Sequence, residues 1–125
     1  MHTFVLQDYI TIRGVSGGTV TQNESGWLDL SAYQDLVFFT DVREVSGGTV
    51  TLNFQTSPTK DEALFTNVTG GVGIAAATIR AGTDKALLGS ATVPVARFLR
   101  WTLNGPAAAW DMTFRIYVAA NSPGM

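Results

Sequence analysis

The sequence predicts an all-β chain, an antiparallel β-sandwich or barrel of eight or nine short strands with little or no helix. Three observations carry this. Apolar residues recur at every second position, most clearly at Trp110, Met112, Phe114, Ile116 and Val118, with Asp111, Thr113, Arg115 and Tyr117 between them. A strand gathers such a set on one face, whereas a helix scatters it around its axis. Turn residues recur at roughly 8–12-residue intervals, the spacing of sandwiches and barrels. Segments with helical character are short and bracketed by glycine.

In chain order, strands are expected at about 3–13, 18–22, 26–30, 35–45, 48–56, 63–68, 72–80, 92–103 and 109–119. The first carries Phe4, Leu6, Ile10 and Ile12, interrupted by Asp8, which belongs either to a bulge or to an exposed edge. Leu36, Val37, Phe38 and Phe39 are apolar on both faces. Such a strand is either covered on both sides or turned outward through Phe39 to meet another subunit. Val50, Leu52 and Phe54 alternate with polar residues. In the strand around 97–103, Arg97, Leu99, Trp101 and Leu103 oppose Phe98, Arg100 and Thr102. One arginine therefore shares a face with large apolar groups, and has either to snorkel past them or to stack on an aromatic ring. The final residues, 119–125, read as a flexible tail.

The breaks have recognisable turn chemistry. Ser16-Gly17-Gly18 and Ser46-Gly47-Gly48 are read as tight hairpins needing positive φ. Asn23 to Gly26, Ser57 to Asp61 and Asn104 to Pro106 are loops, and Pro94 fits a strand start or edge. Residues 69–91 read as an irregular excursion or a loosely patterned strand, with one helical turn conceivable at Thr83 to Gly89. Arg13 to Thr21 and Arg43 to Thr51 agree at eight of nine positions. Convergence of two similar hairpins accounts for this better than a tandem repeat, because no third copy follows.

Composition bounds the function. A length of 125 residues suits one domain. Only 14% of residues are charged, against about 25% in ordinary proteins, and 46% are hydrophobic. Disorder and a basic nucleic-acid surface are therefore not expected, and no apolar run reaches the length of a membrane helix. The N-terminus lacks the features of a secretory leader. The absence of cysteine removes thiolate chemistry and fits a reducing compartment. The single histidine, His2, sits at a terminus, which leaves no internal base for a Ser-His-Asp triad and no His-based metal site. Asp61 and Glu62 are adjacent loop residues, and no carboxylate pair is marked out for acid–base work. Asp29, Asp35, Asp41, Asp84 and Asp111 lack the spacing of a calcium loop. The Gly-Gly segments lack the following helix of a phosphate loop. No enzyme activity, cofactor or metal is expected.

Aromatic residues are the remaining candidates. Trp110 belongs to the inward series, while Trp27, Trp101 and Tyr117 are compatible with either glycan stacking or a subunit interface. With Phe39, Phe98 and Arg100 they form the set of expected subunit or ligand contacts.

One order of segments carries further information. Trp27-Leu28-Asp29-Leu30 to Tyr33 leads to Asp35 to Val42, then to Gly47-Gly48-Thr49-Val50-Thr51-Leu52 and Thr56-Ser57-Pro58. Lys60-Asp61-Glu62 and Pro94-Val95-Ala96-Arg97-Phe98-Leu99-Arg100-Trp101 complete it. Over roughly residues 26–119 this resembles the small jelly-roll virion proteins of tailed bacteriophages. The resemblance implies a jelly-roll β-sandwich and a non-enzymatic capsid decoration or cement protein. It also implies a homo-oligomer, with a trimer favoured, bound to a lattice of major capsid protein. Such a protein would be made in the host cytoplasm and reside in the virion. A carbohydrate-binding module or a receptor-binding tail domain is the alternative.

Overall fold

The computed structural model describes residues 2–30, 33, 35–68, 72–74, 80–86 and 96–121. They form ten strands: β1 (His2–Gly14), β2 (Thr19–Thr21), β3 (Leu28–Asp29), β4 (Asp35–Ser46), β5 (Val50–Ser57), β6 (Thr66–Asn67), β7 (Val72–Ile74), β8 (Arg80–Ala86), β9 (Phe98–Asn104) and β10 (Trp110–Asn121). Two single 3-10 turns, Glu24–Gly26 and Glu62–Leu64, are the helical content of the described residues.

Every ladder is antiparallel, and the strands make two sheets. Sheet A has the order β1-β10-β4-β8, and sheet B the order β2-β9-β5-β6, with β3 also on β9 and β7 also on β5. Counting β2 with β3, and β6 with β7, as broken edge strands leaves four strands per sheet. The chain passes repeatedly from one sheet to the other, as a jelly roll requires.

The core lies between the sheets. Phe38 of β4 stacks on Phe54 of β5, with centroids 3.9 Å apart and planes 7° from parallel. Trp101 of β9 meets Phe114 of β10 edge-on at 5.1 Å. The inward series expected for the last strand, Trp110 to Val118, is buried throughout. β10 also continues to Asn121, with Ala119 and Ala120 buried, so the first residues of the expected tail are strand. Residues 122–125 lie outside the described set.

The Gly-Gly segments are not hairpins. β1 pairs β10 in sheet A while β2 pairs β9 in sheet B, and β4 and β5 are likewise in different sheets. Each near-repeat is a corner that carries the chain across the sandwich. The corners converge on the β9–β10 connection: Gly17 N donates to Pro106 O at 2.7 Å, and Gly105 N donates to Gly18 O at 2.9 Å. Their backbones differ, since Gly17 alone has positive φ in the first corner, at 66°, whereas Gly47 and Gly48 both do in the second, at 93° and 135°. The one mismatched position has a physical cause. Gly14 lies against the Trp110 indole, where any β-carbon would overlap the ring, while its counterpart Glu44 is an exposed residue paired with Thr113.

Within the segment read as an irregular excursion or a loosely patterned strand, residues 80–86 form the strand β8, so the conceivable helical turn does not start at Thr83. Seven residues, Arg80 to Ala86, pair with β4 from Val42 back to Leu36. A ladder of that length overrides a weak local preference. The expected position of Pro94 falls outside the described residues.

Candidate functional site

The two outer faces differ, and the difference begins with the sequence of each central strand. On sheet B, β9 turns Phe98, Arg100 and Thr102 away from the core, yet all three are buried. The β5–β6 connection crosses over Phe98 and Arg100. Its Asp61 side chain caps a 3-10 turn by accepting from Ala63 N at 3.1 Å, and Glu62 then reaches down to Arg100. Arg100 stacks 3.7 Å from the Phe65 ring centroid and lies 5.2 Å from that of Trp27. Phe98 is overlaid by Arg97 at 4.8 Å and Lys60 at 5.5 Å. This face is covered by the chain itself.

On sheet A the corresponding face is open among the described residues. Alternation along β10 and β4 sends Val118 and Phe38 inward, and so Tyr117 and Phe39 outward, directly opposite each other. Val5 of the edge strand pairs with Tyr117 on its other side. The rung Val5–Tyr117–Phe39 runs beside the rung Thr3–Ala119–Val37. Phe39 is 45% exposed and Val5 is also exposed. Together they make an apolar and aromatic half-face.

The other half is a charged network centred on Asp41. Its Oδ2 accepts from Tyr9 OH at 2.8 Å and from Arg115 Nε at 3.1 Å. Arg43 Nε lies 3.1 Å from Oδ1 and also donates to Tyr9 OH at 3.1 Å. The Tyr9 hydroxyl, together with Arg43 and Arg115, lowers the Asp41 pKa against a smaller opposing effect of burial. Arg115 lies 4.6 Å from the Tyr9 ring centroid and 5.2 Å from that of Tyr117, which joins the network to the aromatic half.

A cleft of about 390 Å³ opens between the free edges of β1 and β2, where β1 shifts register twice between Val5 and Ile10. Asp8 thus lies both in an irregularity and on an edge strand. Ile10, Ile12, Val20 and Trp101 supply the apolar lining, and no charged residue contributes among the described residues. Among the described residues no three His, Cys, Asp or Glu side chains are grouped to hold a metal ion, and no helix is long and apolar enough to cross a membrane.

The six sequence candidates therefore separate. Phe39 and Tyr117 are brought together on the open face. Phe98, Arg100 and Trp27 gather on the covered face, the first two buried and Trp27 half-buried. Trp101 is in the core, 2% exposed, with Nε1 donating to Gln7 Oε1 at 3.2 Å. Phe98, Arg100 and Trp101 are thus buried in this conformation, whereas Phe39 is exposed. Val5, Tyr9 and the Asp41 network are additions. Their signal was the outward alternation of each strand, but joining them requires knowing that β1, β10 and β4 are neighbours.

No protein-family model matches the chain, and no curated protein matches it. Solved structures do. One is a chain from Bacillus endospore appendages, a family of disulfide-linked pili, at 18% identity and a TM-score of 0.50, covering 94% of this chain and 88% of that one. Another is a chain of infectious bursal disease virus, Gx strain, at 15% identity and a TM-score of 0.52. It covers 98% of this chain, which spans only 33% of the viral one. The fold is shared with both. At these identities the likeness is of fold alone: a jelly-roll-like sandwich that occurs in viral and pilus structures.

Proposed function

We propose that this chain is a non-enzymatic structural protein of a phage particle, a capsid decoration protein that docks through the outer face of sheet A. The observation that carries the reading is the contrast between faces among the described residues: one is covered by the chain's own loop, the other leaves Val5 and Phe39 exposed beside a half-buried Tyr117. An apolar centre beside a satisfied charged network suits a protein interface, whose core excludes unpaired charge. A repeated lattice would multiply modest contacts by avidity. The same fold in a viral chain supports a virion setting. The disulfide linkage of the pili is not available to a chain with no cysteine. On this reading the protein is made in the host cytoplasm, associates with itself, as a trimer in the simplest case, and ends on the capsid lattice.

The carbohydrate-binding alternative has less support, because Trp101 is a core residue and Trp27 packs edge-on against Phe65 at 4.8 Å. Light scattering on the purified protein and co-sedimentation with undecorated capsids test the proposal. Binding is expected for the native chain and is lost in Phe39→Asp with the fold intact. A strict monomer without affinity for any shell counts decisively against it.

A further inference from the structure

The strap formed by residues 58–64 is attached to sheet B by few bonds. Its backbone hydrogen bonds are local: Leu64 N donates to Asp61 O, and the amides of Thr59, Asp61 and Ala63 are held by Ser57 Oγ, Thr59 Oγ1 and Asp61 Oδ1. Beyond the bond from Thr59 N to Ser57 Oγ of β5, the polar contacts that leave it among the described residues are made by Lys60, which lies over Phe98 and pairs with Glu24 at 3.5 Å on the surface, and by Glu62.

Arg100, beneath, is held from every other side. Its Nε donates to Gln55 Oε1 at 2.9 Å, and Phe65 and Trp27 flank the guanidinium. Its two terminal nitrogens point outward and donate to the two oxygens of Glu62, one at 2.7 Å. The partners are unequal: the Arg100 side chain is 3% exposed and that of Glu62 72%. The cation is built into the sheet, whereas the carboxylate arrives from outside on a loop. A buried ion pair has no general stability advantage over apolar packing. A guanidinium fixed with two parallel donors is, in contrast, a preorganised carboxylate receptor.

We propose that the Arg100 slot is a carboxylate-binding site, filled here in cis by Glu62, and that an aspartate or glutamate side chain on a partner segment takes the same place when the strap lifts. Glu62 then acts as an intramolecular competitor, which sets how strongly the partner must bind. Phe65 and Trp27 remain beside the slot and favour apolar residues flanking the incoming acid. The site is independent of the sheet A face.

The test is a titration of Glu62→Ala with propionate, followed by the Arg100 side-chain resonance and by Tm, with sodium chloride at equal ionic strength as control. The resonance is assigned by its loss in the Glu62→Ala, Arg100→Gln double variant. Propionate is expected to shift the resonance saturably and raise Tm in Glu62→Ala, and to leave the native protein unmoved. A capped Leu-Glu-Leu peptide is expected to act likewise, and Leu-Gln-Leu not to. A folded Glu62→Ala protein that ignores propionate, or a native protein that responds equally, overturns the site. A response to propionate without one to the peptide overturns the partner assignment. If Glu62→Ala does not fold, Glu62→Gln, which keeps the strap's size without its charge, carries the same titration.

Discussion

Gln22 Nε2 donates to the carbonyl oxygen of Leu6 at 2.6 Å, and so ties the edge of sheet B to the edge of sheet A. The same nitrogen donates to Gly26 O at 3.0 Å, and Oε1 accepts from Trp101 N at 3.3 Å. One buried amide therefore joins β1, the 3-10 turn after β2 and the central strand β9. It also caps a carbonyl of the long edge strand β1, a group otherwise free to template pairing with another chain. Gln22→Leu keeps the volume and strands these partners. Each buried group left unpaired costs about 1–3 kcal/mol, so with some rescue by water the loss is expected at about 2–3 kcal/mol. Thermal unfolding should show a fall in Tm on the order of 10 °C. A change under about 2 °C would mean that the amide is replaced without loss.

Trp110 is gripped between two glycines. A β-carbon on Gly14 or on Gly105 would overlap its indole ring. Gly17 is the useful contrast, with open space around it but φ at 66°. Gly17→Ala carries only the left-handed backbone cost of about 1–2 kcal/mol. Gly14→Ala has to displace a buried indole, which exceeds ordinary overpacking of about 1–3 kcal/mol. Chemical denaturation should therefore rank Gly14→Ala well below Gly17→Ala in stability. The reverse order would show that the indole has room to move.

Legibility from the sequence follows the range of the interactions. The alternation of Trp110 to Val118 is local, so β10 and its core face are readable, as is the need for one arginine of the 97–103 strand either to snorkel past apolar groups or to stack on a ring. What joins Tyr117 to Phe39 and Val5 is the order β1-β10-β4, set by pairings more than a hundred residues apart along the chain at His2 and Ala120. No local pattern encodes it. The Gly-Gly corners misled because positive φ serves a sheet-to-sheet crossing as well as a hairpin. β8 was obscured because its strand state comes from β4 rather than from its own residues. Trp101 was ambiguous because both faces of β9 bear large side chains, and only the strap over one of them distinguishes core from surface.

Thr40 points into the core from β4, and its hydroxyl has no hydrogen-bond partner among the described residues. Its neighbours on the same face, Phe38 and Val42, are fully buried. Valine has the same shape without the polar atom. An unpaired buried hydroxyl costs about 1–3 kcal/mol by mutational measures, so Thr40→Val is expected to stabilise the fold by about 1 kcal/mol. Tm should rise by several degrees with no change in the slope of the denaturant transition. A loss of stability would indicate that the hydroxyl is satisfied by water in solution.

Acid should weaken the molecule through two carboxylates on opposite faces. Hydrogen bonds from Arg100 lower the Glu62 pKa, opposed by burial, and the Tyr9 hydroxyl leads the lowering at Asp41. A carboxyl whose folded pKa lies below its unfolded value binds its proton more readily when unfolded. The stability it contributes is thus complete above the unfolded range of about pH 4, and is lost as pH falls through the lower folded values. Protonating Glu62 has a second effect, since it leaves Arg100 buried without its counter-ion and favours lifting of the strap. Tm should be flat from neutrality to about pH 5 and then fall. In Asp41→Asn with Glu62→Gln, Tm should start lower and fall less steeply. Equal slopes in the native protein and the double variant would place the acid sensitivity in other carboxylates.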